Sequence, residues 1–260
     1  MPSQKPNGIT IKSSSELDLM REAGRIVGLA KLEVANAIKP GVTTSFLDEI
    51  TEESIRAEGA IPSFKGYGDP QNPFPASICV SVNEEIVHGI PGDRVINNGD
   101  IISVDFGAIW KGLHADSAFT LGVGTISDDA AKLIETTRLS LEKGIEKVTI
   151  GNRIGDICYA IQNYAETEGY SLVRHYVGHG IGYSMHEEPQ VPNWGMEPGL
   201  GPILKEGMAI AIEPMLNIGT YKTKILNDGW TVATEDGELS AHFEDTVLIT
   251  DRGPVVTTRI

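Results

Sequence analysis

The sequence predicts an α+β fold made of two related halves. Apolar residues at helical spacing alternate with short, continuous apolar runs of strand length, and one glycine spacing occurs twice. Gly41 opens a segment that reaches Ala57-Glu58-Gly59, and Gly151 opens one that reaches Thr167-Glu168-Gly169. The paired glycines are 18 residues apart in both, and the copies are offset by 110. Gly99 leads to Asp105 and Gly207 to Glu213, six residues apart each time, at an offset of 108. That offset is far longer than a solenoid repeat. It implies two halves packed into one body, each presenting a strand-end carboxylate to a shared centre.

The elements follow in order. Helices are predicted over 15–38, 44–59, 127–147 and 153–169. Phe46, Leu47 and Ile50 mark the apolar face of the second, and Ile154, Ile157, Ile161 and Tyr164 that of the fourth. Strands are predicted near 77–82, 101–109, 114–123, 172–177, 208–215, 231–234 and 242–249. Residues 66–75, Gly-Tyr-Gly-Asp-Pro-Gln-Asn-Pro-Phe-Pro, have no apolar periodicity and read as a loop, a candidate mobile flap. Residues 1–10 are expected to form a flexible N-terminal segment, and 11–260 a single domain.

Composition narrows the function. The chain has 260 residues, 40% of them hydrophobic, which supports a sizeable core. Its net charge of −15 opposes nonspecific binding to nucleic acid or to an anionic membrane, and its Lys and Arg are scattered rather than clustered. Cys79 and Cys158 are the only cysteines, so there is neither a disulfide framework nor a Cys-x-x-Cys zinc site. No run of 18 apolar residues and no apolar leader occur, so the expected location is the cytoplasm.

Five residues suit metal chemistry. Asp105 and Glu213 close the apolar runs Ile-Ile-Ser-Val and Ala-Ile-Ala-Ile. A carboxylate there needs a partner to offset desolvation, and a cation is the strongest available. Asp116, His179 and Glu244 complete the set. His179 stands between glycines and reads equally well as a turn histidine; Asp116 and Glu244 are weak signals alone. Four carboxylates and one imidazole favour a pair of divalent ions such as Mn, Fe or Co over one tetrahedral structural zinc.

Seven ordered stretches carry a resemblance: Val-Asn-Glu-Glu-Ile-Val-His-Gly-Ile-Pro (82–91), Asp-Phe-Gly-Ala (105–108), Gly-His-Gly-Ile-Gly (178–182), Met-His-Glu-Glu-Pro-Gln-Val (185–191), Ile-Glu-Pro-Met (212–215), Asn-Asp-Gly-Trp-Thr-Val-Ala-Thr (227–234) and His-Phe-Glu-Asp-Thr-Val (242–247). With these the chain resembles the type I methionine aminopeptidases over residues 10–255. The resemblance implies the pseudo-twofold pita-bread fold, an antiparallel sheet core covered by helices. It implies a metallo-exopeptidase that removes N-terminal Met before a small second residue, using two divalent ions, Fe(II), Mn(II) or Co(II). Asp105 would chelate one ion, Asp116 and Glu244 would bridge both, and His179 and Glu213 would complete the first ion's shell. Glu213 would also shuttle the proton. His186 would donate to the developing oxyanion, and His88 would contact the scissile nitrogen.

The resemblance further places Phe64, Phe74, Cys79, Met185 and Trp230 around the methionine slot. Phe64 stands where Tyr is usual, Met185 where Phe is usual, and Ala115 replaces the Gly of His-Gly-Asp. Gly68–Asn72 resembles an insertion beside the slot. Implied partners are peptide and nascent-chain N-termini and, transiently, the ribosome; a monomer is expected. An X-Pro aminopeptidase or prolidase of the same fold would use the same five ligands, but such relatives carry an N-terminal domain for which this sequence has no counterpart. A non-catalytic binding protein of this fold would have lost ligands, whereas all five are present here.

Overall fold

The computed structural model describes residues 8–260. In the first half, helices α1 (Ser14–Ala37) and α2 (Thr44–Ala57) precede β1 (Ile61–Pro62), β2 (Ile78–Val82), β3 (Glu85–Val87), β4 (Ile101–Trp110) and β5 (Leu113–Gly122). In the second, α3 (Asp128–Ile145) and α4 (Ile154–Thr167) precede β6 (Ser171–Leu172), β7 (Gly178–Gly180), β8 (Glu187–Val191), β9 (Ala209–Ile212) and β10 (Met215–Asn217). The chain ends in β11 (Thr223–Ile225), β12 (Val232–Thr234), β13 (Ser240–His242), β14 (Asp245–Thr250) and β15 (Gly253–Val256).

Local signals start and stop these elements. Ser13 caps α1 through a capping box with Glu16, while Thr43 and Ser127 cap α2 and α3 with their hydroxyls. β4 turns into β5 through Lys111-Gly112, both at positive φ, the turn whose twist matches a hairpin. The pairings between named strands are all antiparallel: β5 and β2 flank β4, and β15-β14-β9-β7-β8 form the longest sheet.

The duplication extends to single hydrogen bonds. Thr43 bridges Val95 and Arg153 bridges Ile203. Gly41 N–H donates to Ile96 and Gly151 N–H to Leu204, while Ile96 and Leu204 donate back to Val42 and Asn152. Gly41, Gly59, Gly99, Gly151, Gly169 and Gly207 all have positive φ. The matched glycines are thus matched left-handed turns at the ends of α2 and α4 and ahead of β4 and β9. The halves meet where β5 lies against β13 and β14: Ala118 and Glu244 exchange backbone hydrogen bonds at 3.2 and 3.0 Å, and Thr120 bonds the backbone of His242.

Alanine at two of these glycines should separate two costs. At Gly151 (φ +95°) nothing lies within 4 Å of an added Cβ, so Gly151→Ala meets only backbone strain, roughly 1–2 kcal/mol. At Gly207 (φ +83°) the Cβ would sit 2.7 Å from Ile11 Cγ2 and from the Lys12 carbonyl. Gly207→Ala should therefore lose distinctly more stability in chemical denaturation. An equal or smaller loss would contradict the contact.

Four expectations need correction. Phe46 is 43% exposed; α2 buries Thr44, Leu47, Thr51, Ser54 and Ile55, a stripe that Phe46 lies outside. Asp105 does not end its strand: β4 continues five residues beyond it, through buried Phe106, Gly107 and Ala108. The strand expected over 172–177 stops at Leu172, where the chain turns irregular and the Arg174 guanidinium lies over the rings of Trp194 and Tyr221. The strand over 208–215 breaks at Glu213-Pro214, because proline has no N–H for the ladder. Of the expected N-terminal segment, residues 1–7 lie outside the described residues. Its last residues are docked: Ile9 bridges Glu188 and Thr10 is buried.

Candidate metal centre and substrate slot

The two halves bring five ligand-type residues to one place. Asp105, in β4, pairs with Cys79 of β2 and Ala118 of β5. Asp116, in β5, exchanges backbone bonds with the Thr246 hydroxyl at 2.9 and 2.8 Å, which ties it to the other half. His179 sits in the middle of β7, not in a turn. Its flanking glycines are required by space, since a Cβ on Gly178 would lie 2.4 Å from the Ala211 carbonyl and one on Gly180 2.2 Å from that of Glu188. Glu213 follows β9, and Glu244 fills the gap between β13 and β14.

One ligand atom from each of Asp116, His179 and Glu244 lies within 4.8 Å of the others. His179 Nε2 is 3.6 Å from Glu213 Oε1 and 3.9 Å from Asp116 Oδ2, while its Nδ1 is held 2.9 Å from the Gly180 carbonyl. Burial drives the His179 imidazole down to about 3, so it is neutral and free to donate a lone pair. The same burial pushes Asp105 up to about 7, and Asp116, Glu213 and Glu244 well above the carboxylate range, aided by one another's charge. Asp105 Oδ1, Asp116 Oδ1 and Glu244 Oε1 are buried with no hydrogen-bond partner among the described residues. Four crowded carboxyls, three of them with an orphaned oxygen, beside a neutral imidazole fit divalent cations, which would offset both the desolvation and the repulsion.

The same cavity continues into an apolar slot. Its volume is about 130 Å³, and its walls include all twelve candidate residues: Asp105, Asp116, His179, Glu213, Glu244, His88, His186, Phe64, Phe74, Cys79, Met185 and Trp230. Phe64, Phe74, Cys79 and Met185 form a small cluster of their own with Trp230 packed on it. Phe74 meets Phe64 and Trp230 edge-on, at centroid distances of 6.5 and 5.2 Å. Cys79 is inert as a nucleophile, since burial and then the neighbouring carboxylates push its thiol well up.

The two histidines face the cluster differently. His88 follows β3 with φ +61°, a strained conformation for a residue with a Cβ, and stacks edge-on to Tyr176 and Trp230. Burial lowers it to about 4. His186 lies with its ring 4.2 Å from that of His179, and its Nδ1 is 2.5 Å from the Tyr67 hydroxyl.

Sequence reasoning missed Tyr67 as a wall residue. It sits in the 66–75 loop, whose only readable signal was the lack of periodicity. That loop is pinned across the slot: the Trp230 indole donates to the Asn72 carbonyl at 3.0 Å, and a Cβ on Gly68 would lie 2.5 Å from the Trp230 ring. His242 was also missed. It is buried, with Nε2 4.0 Å from Glu244 Oε2.

The model of metallopeptidase family M24 matches residues 18–251. The methionine aminopeptidase of Clostridium acetobutylicum is 55% identical, over 96% of this chain and 98% of its own length. The crystal structure of methionine aminopeptidase from Thermotoga maritima matches with a TM-score of 0.94 at 43% identity, covering 97% of this chain and 100% of that one. The Xaa-Pro dipeptidase from Bacillus anthracis matches at a TM-score of 0.76 and 25% identity, and this chain spans 62% of it. The fold is therefore the pita-bread fold, and the chain belongs to metallopeptidase family M24, among its type I methionine aminopeptidases.

Proposed function

We propose that this protein hydrolyses the first peptide bond of chains that begin with methionine and carry a small second residue. One observation carries the reading: the ligand cluster and an apolar slot are two ends of a single cavity. Aromatic and sulfur-containing walls favour a polarizable thioether.

Asp105, Asp116, His179, Glu213 and Glu244 would hold two divalent cations, Fe(II), Mn(II) or Co(II). Bound there, the cations supply Lewis acidity and a water nucleophile at neutral pH. The residues do the rest. The Tyr67 hydroxyl lies against His186 Nδ1; in the tautomer where Nδ1 accepts from it, the proton is on Nε2, and that N–H donates to the carbonyl oxygen as its charge develops. His88, held by its strained backbone, contacts the scissile nitrogen. Glu213 carries the proton from the water to the departing amine. The substrates are peptides and nascent chains in the cytoplasm, met transiently at the ribosome by a monomer. Among the described residues no helix is long and apolar enough to cross a membrane.

A peptide panel on metal-reconstituted protein tests this. Met-Ala, Met-Ser and Met-Pro peptides should be cleaved, whereas Met-Lys and Met-Leu peptides should not. Equal rates on Leu-Ala and Met-Ala peptides would overturn the slot assignment, and preference for Leu-Pro would indicate the proline-specific relatives instead.

A further inference from the structure

A buried ion pair lies just behind His186. Lys12, in the strap between Ile9 and α1, has a side chain only 1% exposed, and that of its partner Glu187 is 7% exposed. The Lys12 ammonium donates to Glu187 Oε2 at 2.7 Å and to the Thr10 hydroxyl at 2.6 Å, and Thr10 donates to the same carboxylate oxygen. The other oxygen, Glu187 Oε1, accepts the Ser184 N–H at 3.1 Å. One carboxylate thus ties the strap to the turn between β7 and β8. That turn carries Met185 and His186.

The strap is also seated by its backbone. Lys12 N–H donates to the Gly207 carbonyl at 2.7 Å, and Ile9 bridges Glu188. Gly182 has no space for a side chain, because its Cβ would lie 2.3 Å from Lys12 Cε. The turn therefore wraps the lysine stem closely. His186 itself has one side-chain hydrogen bond among the described residues, to Tyr67. Its backbone must be fixed by its neighbours.

Desolvating two charges to fasten a strap is a poor use of them. An apolar pair of similar volume often fastens as well or better. A carboxylate fork offers direction instead: one oxygen fixes the Ser184 amide and the other fixes the lysine. The geometry points to Lys12 and Glu187 as a positioning pair for His186, which sets the aim of its imidazole without touching substrate. This rests on the role of His186 in the proposed hydrolysis. A misplacement of about 1 Å at a reacting group can cost on the order of a hundredfold in rate.

The test is a double-mutant cycle read as kcat and KM per folded, metal-loaded enzyme. Lys12→Met should lower kcat roughly tenfold to a hundredfold with KM and metal content little changed, and Lys12→Arg should recover part of the loss. In a His186→Ala background Lys12→Met should have little further effect, since the group it aims is gone. If Lys12→Met does not fold, Glu187→Gln, which keeps the shape and removes the charge, must show the same non-additivity. An equal fold-loss in both backgrounds would reduce the pair to a structural fastening and overturn the proposal alone. A His186→Ala enzyme with unchanged kcat would overturn the role of His186 and the positioning pair with it.

Discussion

His179→Ala is expected to remove both activity and tightly held metal. The imidazole is neutral, buried and held by the Gly180 carbonyl, with Nε2 facing Asp116 and Glu213. Loss of a group that merely orients a ligand typically costs about 10–100-fold in affinity or activity. Loss of the ligand itself should exceed that range. Elemental analysis should show less metal per chain than in the unaltered protein. A second readout is the thermal midpoint. Ligand at about 100 times its Kd stabilises by about 2.7 kcal/mol, worth roughly 5–10 °C in a chain of this size. A chelator should lower the midpoint of the unaltered protein by about that much and leave His179→Ala nearly unmoved. Full activity in chelator-treated, metal-free protein would refute the metal assignment.

The legible parts of this site share one property: they sit where local sequence and environment disagree. Asp105 and Glu213 are charged residues closing apolar runs, and such a conflict demands a partner. Even so, the place of Asp105 within β4 was misread. The run continues past the aspartate because Phe106, Gly107 and Ala108 are buried too, so Asp105 is a mid-strand residue whose side chain reaches the cavity. The repeat was legible for a similar reason. Its glycines occupy left-handed turns that few other residues tolerate, so both halves kept them at matching positions.

Other parts had no local signature. Asp116 and Glu244 come together only because β5 of one half lies against the segment leading into β14 of the other, through the Ala118–Glu244 contact between residues 126 positions apart. Tyr67 lies in a loop without periodicity, and Trp230, far along the chain, packs on that loop at Gly68 and Asn72. Lys12 and Glu187 carry no local sign of burial. Only the fold makes them a buried pair. The slot residues were reached through the family resemblance, because an apolar side chain facing a cavity has the same sequence pattern as one facing the core.

His186→Ala is expected to lower kcat by on the order of a hundredfold or more while raising KM far less. The reason lies in timing. A hydrogen bond to the carbonyl oxygen gains strength only as that oxygen becomes an oxyanion, so its loss falls on the transition state rather than on binding. This role requires the N–H of the neutral ring on Nε2, with Nδ1 accepting from the Tyr67 hydroxyl 2.5 Å away. Burial lowers the affinity of His186 for a second proton, so the neutral form persists at working pH. His186 stands apart from the trio whose ligand atoms converge, and its ring centroid is 4.2 Å from that of His179. Metal content in His186→Ala should therefore match that of the unaltered protein, in contrast to His179→Ala. Parallel elemental analysis and steady-state kinetics on the two variants distinguish donor from ligand. A His186→Ala enzyme that loses its metal would place this histidine among the ligands, and one that loses only KM would place it in the slot.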